Sequence, residues 1–387
     1  MEAVEIRDRD AFEGAVREIE GGNAVVVTAR GLTLDEEVRL KRLAFERGGL
    51  VLGPGCSCSH LEGSGFGIWN SVKSGPVGII STGGSGIREM TSLLQSIGVS
   101  SSLCVGHRDL SQKVGGLGTI MSLRYLSMDP DTEVIVLSAR TPPASVAKRI
   151  MAEIMKCEKK VVLCFIGEKI HGHGASRTFE EAAEDVFEAL NLDCPFPSKV
   201  DVKAAGEERS RFGCGQKYVR GLFCGGMLCL EAQAILGEHF AAVYSNVPLS
   251  PRRRLPDPRS SKGHACADMG DPELSPVHPA VDPSAIGRRI LREARDWETA
   301  VILLDVVLGN GAHPDPAGEL LRAIEGAKEK MEETGGHLSI AASVVGTRED
   351  PQGLLSQKRK LEGAGVMIMP SSTSAARLSA KIAGGGL

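Results

Sequence analysis

An α/β protein built on parallel sheets is the fold class this sequence predicts, and three observations carry it. Short β-branched apolar runs alternate with charged, amphipathic stretches from end to end of the 387 residues. Many of those runs are continuously apolar rather than alternating, as expected of strands covered on both faces. Strand, helix and strand in regular succession require right-handed crossovers, hence parallel sheets in three-layer domains.

The elements follow in order. Ala24–Thr28 and Leu50–Leu52 are short apolar strands on either side of a charged helical pattern over Thr33–Arg47. Val77–Ser81 (VGIIS) is a buried strand that breaks into Ser81-Thr82-Gly83-Gly84-Ser85-Gly86, and a helical pattern resumes over Ile87–Ile97. Strands at Ser102–Val105 and Glu133–Ser138 come next, then a helix over Ala144–Lys156, a strand at Val161–Ile166 and a helix over Phe179–Leu190. The last third repeats the rhythm: strand Ala300–Val307, helix Ala317–Thr334, strand His337–Val344, helix Leu354–Ala364 and strand Val366–Met369. Composition shifts at Ser71–Pro76 (SVKSGP) and Asp193–Gly215, rich in Pro, Gly and charge, mark boundaries. They divide the chain into a unit at 1–71, a domain at 72–198, a linker at 199–215 and a domain at 216–387. The proline-bearing stretch Asn246–Asp282 reads as surface of the last domain.

Composition excludes several functions. A net charge of -4 gives no global attraction to nucleic acid, and the basic run Arg252–Arg259, broken by prolines and without aromatics, reads as a solvated loop. No apolar stretch approaches the roughly 20 residues that span a bilayer, and the charged start is unlike a signal peptide, so a cytoplasmic protein without membrane contact is expected. Ten cysteines without a secretory signal suggest reduced thiols. Cys104 and Cys164 lie in apolar runs and read as small hydrophobes. Cys56-Ser57-Cys58 is a lone thiol pair without a second, so no metal site is expected.

Two glycine-rich loops draw attention. Ser81–Gly86 follows one strand, and Leu308-Gly309-Asn310-Gly311-Ala312-His313-Pro314-Asp315-Pro316 follows another, each leading into a helix. In open parallel sheets, ligands bind at the carboxyl ends of strands, beside helix N-termini that favour anions. Glycines at a strand end also serve a sharp turn and nothing more. Spacing alone leaves both readings standing.

With these loops located, the chain resembles the FdrA family, relatives of succinyl-CoA synthetase that join an α-like part to a β-like part. Gly53-Pro54-Gly55-Cys56 resembles the turn closing the CoA-binding domain, and Val77–Gly86 the strand and loop opening the flavodoxin-like ligase domain. Gly106-His107-Arg108-Asp109-Leu110 with Val114-Gly115-Gly116, and Met128–Leu137, are similar to further family segments. In the C-terminal half Gly221–Glu231, His278-Pro279 with Asp282-Pro283, Leu304–Pro316 and Ser343–Pro351 match in the same order.

The resemblance implies a partial Rossmann-like CoA-binding unit followed by two flavodoxin-like ligase domains. It implies an acyl-CoA synthetase-like enzyme, or enzyme subunit, in which two helix N-termini hold the anion of an acyl or phosphoryl intermediate. The matching positions are Ser81, Thr82, Gly83, Gly84, Ser85 and Gly86, and Gly309, Asn310, Gly311 and Ala312. Asp268 and Gly270 resemble an Asp-x-Gly loop lining the same site. A bulky residue at Gly84 is then expected to abolish activity and leave the fold intact.

The chain also departs from the pattern. No G-x-G-x-x-G precedes Gly53, so the CoA unit reads as its later half and CoA as a conditional cofactor. The synthetases' phosphorylated histidine has its nearest counterpart in His173, flanked by glycines but closer to the preceding strand; it is either the nucleophile or a surface residue. There is no ATP-grasp domain or P-loop, so nucleotide and Mg are expected only through partner subunits. Cys56 is either a reactive thiol or structural, and Arg108 either pairs with Asp109 or clamps a carboxylate. His278 and His313 either line the cleft or are solvated. Two alternatives accompany the ligase-like reading: a subunit of oxamate carbamoyltransferase, making carbamoyl phosphate from oxalurate, and a non-catalytic regulatory subunit. A small acyl or carbamoyl substrate, phosphate or carbamoyl phosphate as ligand, and partner subunits or a homo-oligomer complete the expectation.

Overall fold

A computed structural model describes residues 2–7, 11–167, 174–196 and 201–384. They fall into two compact units, Met1–Cys194 and Pro195–Leu387.

The first unit begins with β1 (Ala3–Ile6), α1 (Ala11–Glu20), β2 (Ala24–Val27), α2 (Leu34–Glu46) and β3 (Val51–Leu52). These strands form a parallel sheet in the order β1-β2-β3, with Val25, Val26 and Val27 fully buried. Thr33 and Glu36 close a capping box at the start of α2, satisfying two otherwise orphaned amides. Then come β4 (Cys58–Leu61), β5 (Ser64–Gly67), β6 (Val77–Ser81), α3 (Gly84–Leu93), β7 (Val99–Cys104), α4 (Leu117–Met128), β8 (Val134–Arg140), α5 (Ala144–Ile154), β9 (Lys160–Ile166) and α6 (Phe179–Ala189). Their sheet runs β5-β4-β7-β6-β8-β9, with β6 to β9 parallel. The hairpin β4–β5 is an antiparallel addition at one edge. Its two-residue turn, Glu62-Gly63, has φ of 52 and 76°, the positive pair that such a turn requires. A Cβ on Gly65 of β5 would stand 2.0 Å from the Trp69 indole, so that ring lies directly over the glycine.

The second unit contains α7 (Val202–Ser210), β10 (Tyr218–Phe223), α8 (Gly226–His239), β11 (Val243–Ser245), β12 (His264–Asp268), α9 (Ser284–Glu293), β13 (Thr299–Val307), α10 (Pro316–Glu332), β14 (Ser339–Val345), α11 (Leu354–Gly363), β15 (Met367–Met369) and α12 (Ser372–Ile382). Every pairing in its sheet, β11-β12-β10-β13-β14-β15, is parallel. Every residue of β13 is buried, as for a central strand with helices on both faces. Most of the stretch read as a linker, 199–215, is the helix α7, N-capped by Asp201 and packed on α12.

The centres of the two large sheets are alike: β6 lies between β7 and β8, and β10 between β12 and β13, all parallel. In each, that middle strand enters its helix through a Gly-Gly pair, Gly83-Gly84 or Gly225-Gly226. Among the described residues, no helix is long and apolar enough to cross a membrane.

Candidate functional site: the glycine turns at the strand ends

The loop Ser81–Gly86 sits where β6 ends. Ser81 Oγ donates to the Gly83 carbonyl at 3.0 Å, and the Thr82 amide donates to Ser138 O of the neighbouring β8 at 3.2 Å. The helix starts at Gly84, three residues before the expected Ile87, so Gly84-Ser85-Gly86 are its first turn. Its N-cap is Gly83, extended at φ -153°, which has no side chain to cap it. A helix N-terminus carries roughly half a positive charge and donor groups aimed forward.

Gly84 is required for close approach rather than for its backbone angle. A Cβ there would lie 2.2 Å from Ser57 Oγ and 3.0 Å from the Cys58 amide. The expectation that a bulky residue at Gly84 spares the fold is therefore corrected: it would displace the start of β4. Arg88, one turn on, is 1% exposed and donates to Ile68 O at 3.3 Å and Ser57 O at 3.5 Å.

The neighbouring residues Arg108 and Asp109 pair with other groups rather than with each other. Asp109 is fully buried and accepts from the Gly118 and Thr119 amides at 2.8 and 2.9 Å and from Thr119 Oγ1 at 2.7 Å. Lys41 Nζ lies 2.8 Å from both Asp109 and Glu37, all three buried. Arg108 Nε reaches Glu37 at 2.7 Å, and its Nη2 donates to Leu32 O at 2.9 Å. Asp109 is thus an internal anion on the N-terminus of α4, and Arg108 braces α2. Cys56 is likewise no surface nucleophile: it is 1% exposed, with its sulfur 3.1 Å from Ser59 Oγ. Hydrogen bonding to Cys104, then burial, push its thiol well above the ordinary range.

In the second unit, Gly309–Ala312 lies ahead of the helix rather than at its first turn. The Gly309 amide donates to Gln352 Oε1 at 3.0 Å, and Gln352 Nε2 donates to the carbonyls of Gly309 and His313 at 2.8 and 3.1 Å. The α10 N-terminus is already satisfied. Asp315 caps it through the Gly318 amide at 3.1 Å, Gln357 takes the Ala317 amide at 2.9 Å, and Lys360 pairs with Asp315 at 2.6 Å. Asp-Pro at the N-cap and N1 positions is a strong helix start, and it moves the helix beyond the glycines. His313 is held in this loop, its amide on Ala280 O at 2.7 Å and its Nδ1 accepting from Asp315.

Asp268 and Gly270 instead gather at the other glycine turn of this unit. Gly270 donates to Asp268 Oδ1 at 2.9 Å, and a Cβ on Gly226 would lie 3.1 Å from Asp268 Oδ2. His278 borders the same place, its Nε2 3.5 Å from where a Cβ on Gly270 would stand. The Cys224 amide is fixed on Asp305 Oδ1 at 2.7 Å. This turn was not singled out from sequence. Its signal was present: Gly83-Gly84 with Glu89 and Gly225-Gly226 with Glu231 have identical spacing, and both glutamates are buried. Glu231 accepts from Ser372 Oγ at 2.5 Å and Thr373 Oγ1 at 2.7 Å.

His173 lies outside the described residues. Among those described, no group of His, Cys, Asp and Glu could hold a metal ion.

Residues 222–382 match the CoA-ligase family. Over 366 residues, 92% of this chain and 71% of the relative, the chain is 35% identical to the uncharacterized protein YahF of Escherichia coli strain K12. Among solved structures, it is similar to the apo form of dinucleotide-forming acetyl-coenzyme A synthetase 1 of Candidatus Korarchaeum cryptofilum, at 16% identity over 99% of this chain and 83% of that one, with a TM-score of 0.33. ATP citrate lyase of Methanothrix soehngenii, solved with citrate and coenzyme A, is similar over 55% of this chain and 44% of that one, at 16% identity and a TM-score of 0.35. The long match to YahF makes the chain a member of YahF's family, with a CoA-ligase domain over residues 222–382.

Proposed function

We propose that the protein is an FdrA-like, acyl-CoA synthetase-like enzyme subunit that holds the anion of an acyl-phosphate or phosphoryl intermediate on the N-terminus of α3. The observation that carries this reading is the glycine start of α3: its N-cap, Gly83, has no side chain to place on the helix end, and Gly84-Ser85-Gly86 form the first turn at the carboxyl end of β6. A glycine-rich helix N-terminus at the end of a parallel strand suits a phosphate or carboxylate ligand. Coenzyme A would supply the thiol that accepts the acyl group. Arg30, at the edge of the Gly53–Gly55 turn, is a cation there that would face its diphosphate; a Cβ on Gly55 would be 3.7 Å from Arg30 Cγ. Nucleotide and Mg would come through a partner subunit, with His173 the candidate phosphoryl acceptor.

The test is calorimetric titration with inorganic phosphate, followed by incubation with acetyl or succinyl phosphate and CoA while released phosphate is measured. Binding at one site and CoA-dependent phosphate release are expected. Turnover only with carbamoyl phosphate and oxamate would select the carbamoyltransferase alternative. A folded protein that binds no phosphate and turns over none of these compounds overturns the reading.

A further inference from the structure

The proline-bearing segment between β11 and β12 gathers positive charge on one face of the second unit. Residues 250–263 carry five cations (Arg252, Arg253, Arg254, Arg259 and Lys262) against one acid, Asp257. Residues 284–295, which are α9 and the turn that ends it, carry four arginines against Glu293. The two stretches hold a surplus of seven positive charges on a chain whose net charge is -4.

The structure joins them into a single surface, of which the solvated basic loop is one half. Arg289 faces inward, 4% exposed and paired with Glu293, and donates to Pro258 O at 3.0 Å and Ser261 Oγ at 2.9 Å. Arg292 donates to Arg259 O at 2.7 Å, and Arg253 and Lys262 both lie over the Tyr244 ring, 5.8 and 5.1 Å from its centroid. The Leu255 amide, on Ser245 O at 2.9 Å, fixes the loop on β11. Arg288, Arg292 and Arg295 stand at i, i+4 and i+7, so they share one face of α9, and all three are exposed.

Among the described residues, none of these outward cations forms an ion pair. Arg253, Arg254 and Arg259 donate to the main-chain carbonyls of Ala241, Asn246 and Glu273 at 2.9, 2.8 and 3.1 Å, and Arg288 to Ser284 Oγ at 2.9 Å. The neighbouring carboxylates are engaged otherwise: Glu293 and Asp296 with Arg220, Glu298 with Lys217. Asp257 and Asp282 hold the backbone amides of Arg259 and Ser284. Exposed cations elsewhere on this unit, such as Lys203, Arg211 and Lys330, each have a glutamate within one helical turn. Like charges crowded together without counter-charges repel one another, and an anion relieves that repulsion.

We propose that loop 250–263 and the exposed face of α9 are a docking surface for an acidic polypeptide segment of a partner protein. Seven of the eight outward cations are arginine, whose planar fork takes a carboxylate bidentately. Arginines at i, i+4 and i+7 match carboxylates at the same spacing on an opposing helix, along about 10 Å of its length. Nucleic acid fits less well. The Tyr244 ring is occupied by Arg253 and Lys262 rather than open to a base, and the remainder of the chain is net negative, which repels a long phosphate array. Pinned to α9 and β11, the loop has little left to order on binding.

A short fluorescein-labelled peptide of Glu-Glu-Ala-Ala repeats is titrated with the full chain at low salt and read by fluorescence anisotropy, beside a labelled DNA duplex. The patch variant combines Arg252→Glu, Arg288→Glu and Arg295→Glu. A control combines Lys156→Glu, Lys203→Glu and Lys330→Glu, exposed sites that change the net charge equally. Circular dichroism melts check the fold of each. Wild type should bind the peptide more tightly than the duplex and more weakly as salt rises. The patch variant should lose roughly tenfold or more in affinity, and the control less than about twofold. Arg252→Glu alone, at a side chain with no internal partner, carries the test where the triple variant does not fold. No peptide binding by wild type, equal losses in patch and control variants, or tighter binding of the duplex overturns the proposal.

Discussion

Replacing Gly83 by Asp tests the α3 N-terminus directly. Gly83 is half-buried and extended, at φ -153° and ψ 142°, a conformation any residue adopts. An Asp there is placed to cap α3 as Asp315 caps α10, where the carboxylate takes an amide three residues on at 3.1 Å. An Asp in place of Gly at the N-cap gains a few tenths of a kcal/mol, and its charge on the helix dipole about 0.3–1 kcal/mol more. The fold should therefore be as stable as wild type or slightly more so in urea unfolding. An anion bound on the same amides would meet a unit negative charge at about 4 Å. At an effective dielectric of 20 this costs about 4 kcal/mol, roughly a thousandfold in Kd. Gly83→Asn provides a neutral cap of the same size and separates charge from bulk; its loss of affinity should be far smaller. Calorimetric titration with phosphate reads the difference. Phosphate affinity unchanged in a folded Gly83→Asp protein would refute an anion site at this helix end.

Two further expectations follow from buried charge. Lys41→Met leaves buried Asp109 without its cation and Glu37 with Arg108 alone, and should cost about 3–5 kcal/mol in urea unfolding; a loss under 1 kcal/mol would refute the role given to the Lys41 cluster. His264 accepts the Val219 amide at 3.2 Å and stacks on Phe240; burial, with Arg220 nearby, lowers it from 6.5 to about 4. The unfolded chain takes up this proton below pH 6.5 and the folded one only near pH 4, so stability falls across that window and levels off beneath it. Discounted for partial exposure, the loss is about 1–2 kcal/mol, and the difference between wild type and His264→Gln from pH 6.5 to 4 should show it; parallel curves would refute it.

The strands legible in the sequence were those whose burial is written as continuous β-branched runs, such as Val77–Ser81 and Thr299–Val307. The ones passed over hide that signal. β10 carries Arg220, a buried cation answered by Asp296 and Glu293 from distant positions, and an arginine interrupts an apolar run. β12 reads HACAD, small residues with no β-branched member. Helix α8 is buried on nearly every face, so it has no polar stripe to give it a period. At the site, the Gly-Gly turn of β6 was visible, but its first helical turn was concealed by glycines that read as loop. The engagement of Asp109 was not legible, because it joins residues 68 apart in the chain. The helix start read at Ala317 agrees with the cap at Asp315-Pro316; what it implies, that Gly309–Ala312 stands ahead of the helix and not on its N-terminus, follows from the same residues.

The hairpin at the edge of the first unit bears on how the molecule behaves at high concentration. Its outer strand β5 is four residues long and holds two glycines, one of them, Gly67, at φ 70°. Trp69 covers the other. A foreign strand needs a long, flat row of unpaired amides to dock against, and this edge ends before such a row is established. Resistance to edge-to-edge aggregation is thus built into backbone shape and one indole ring rather than into a line of surface lysines.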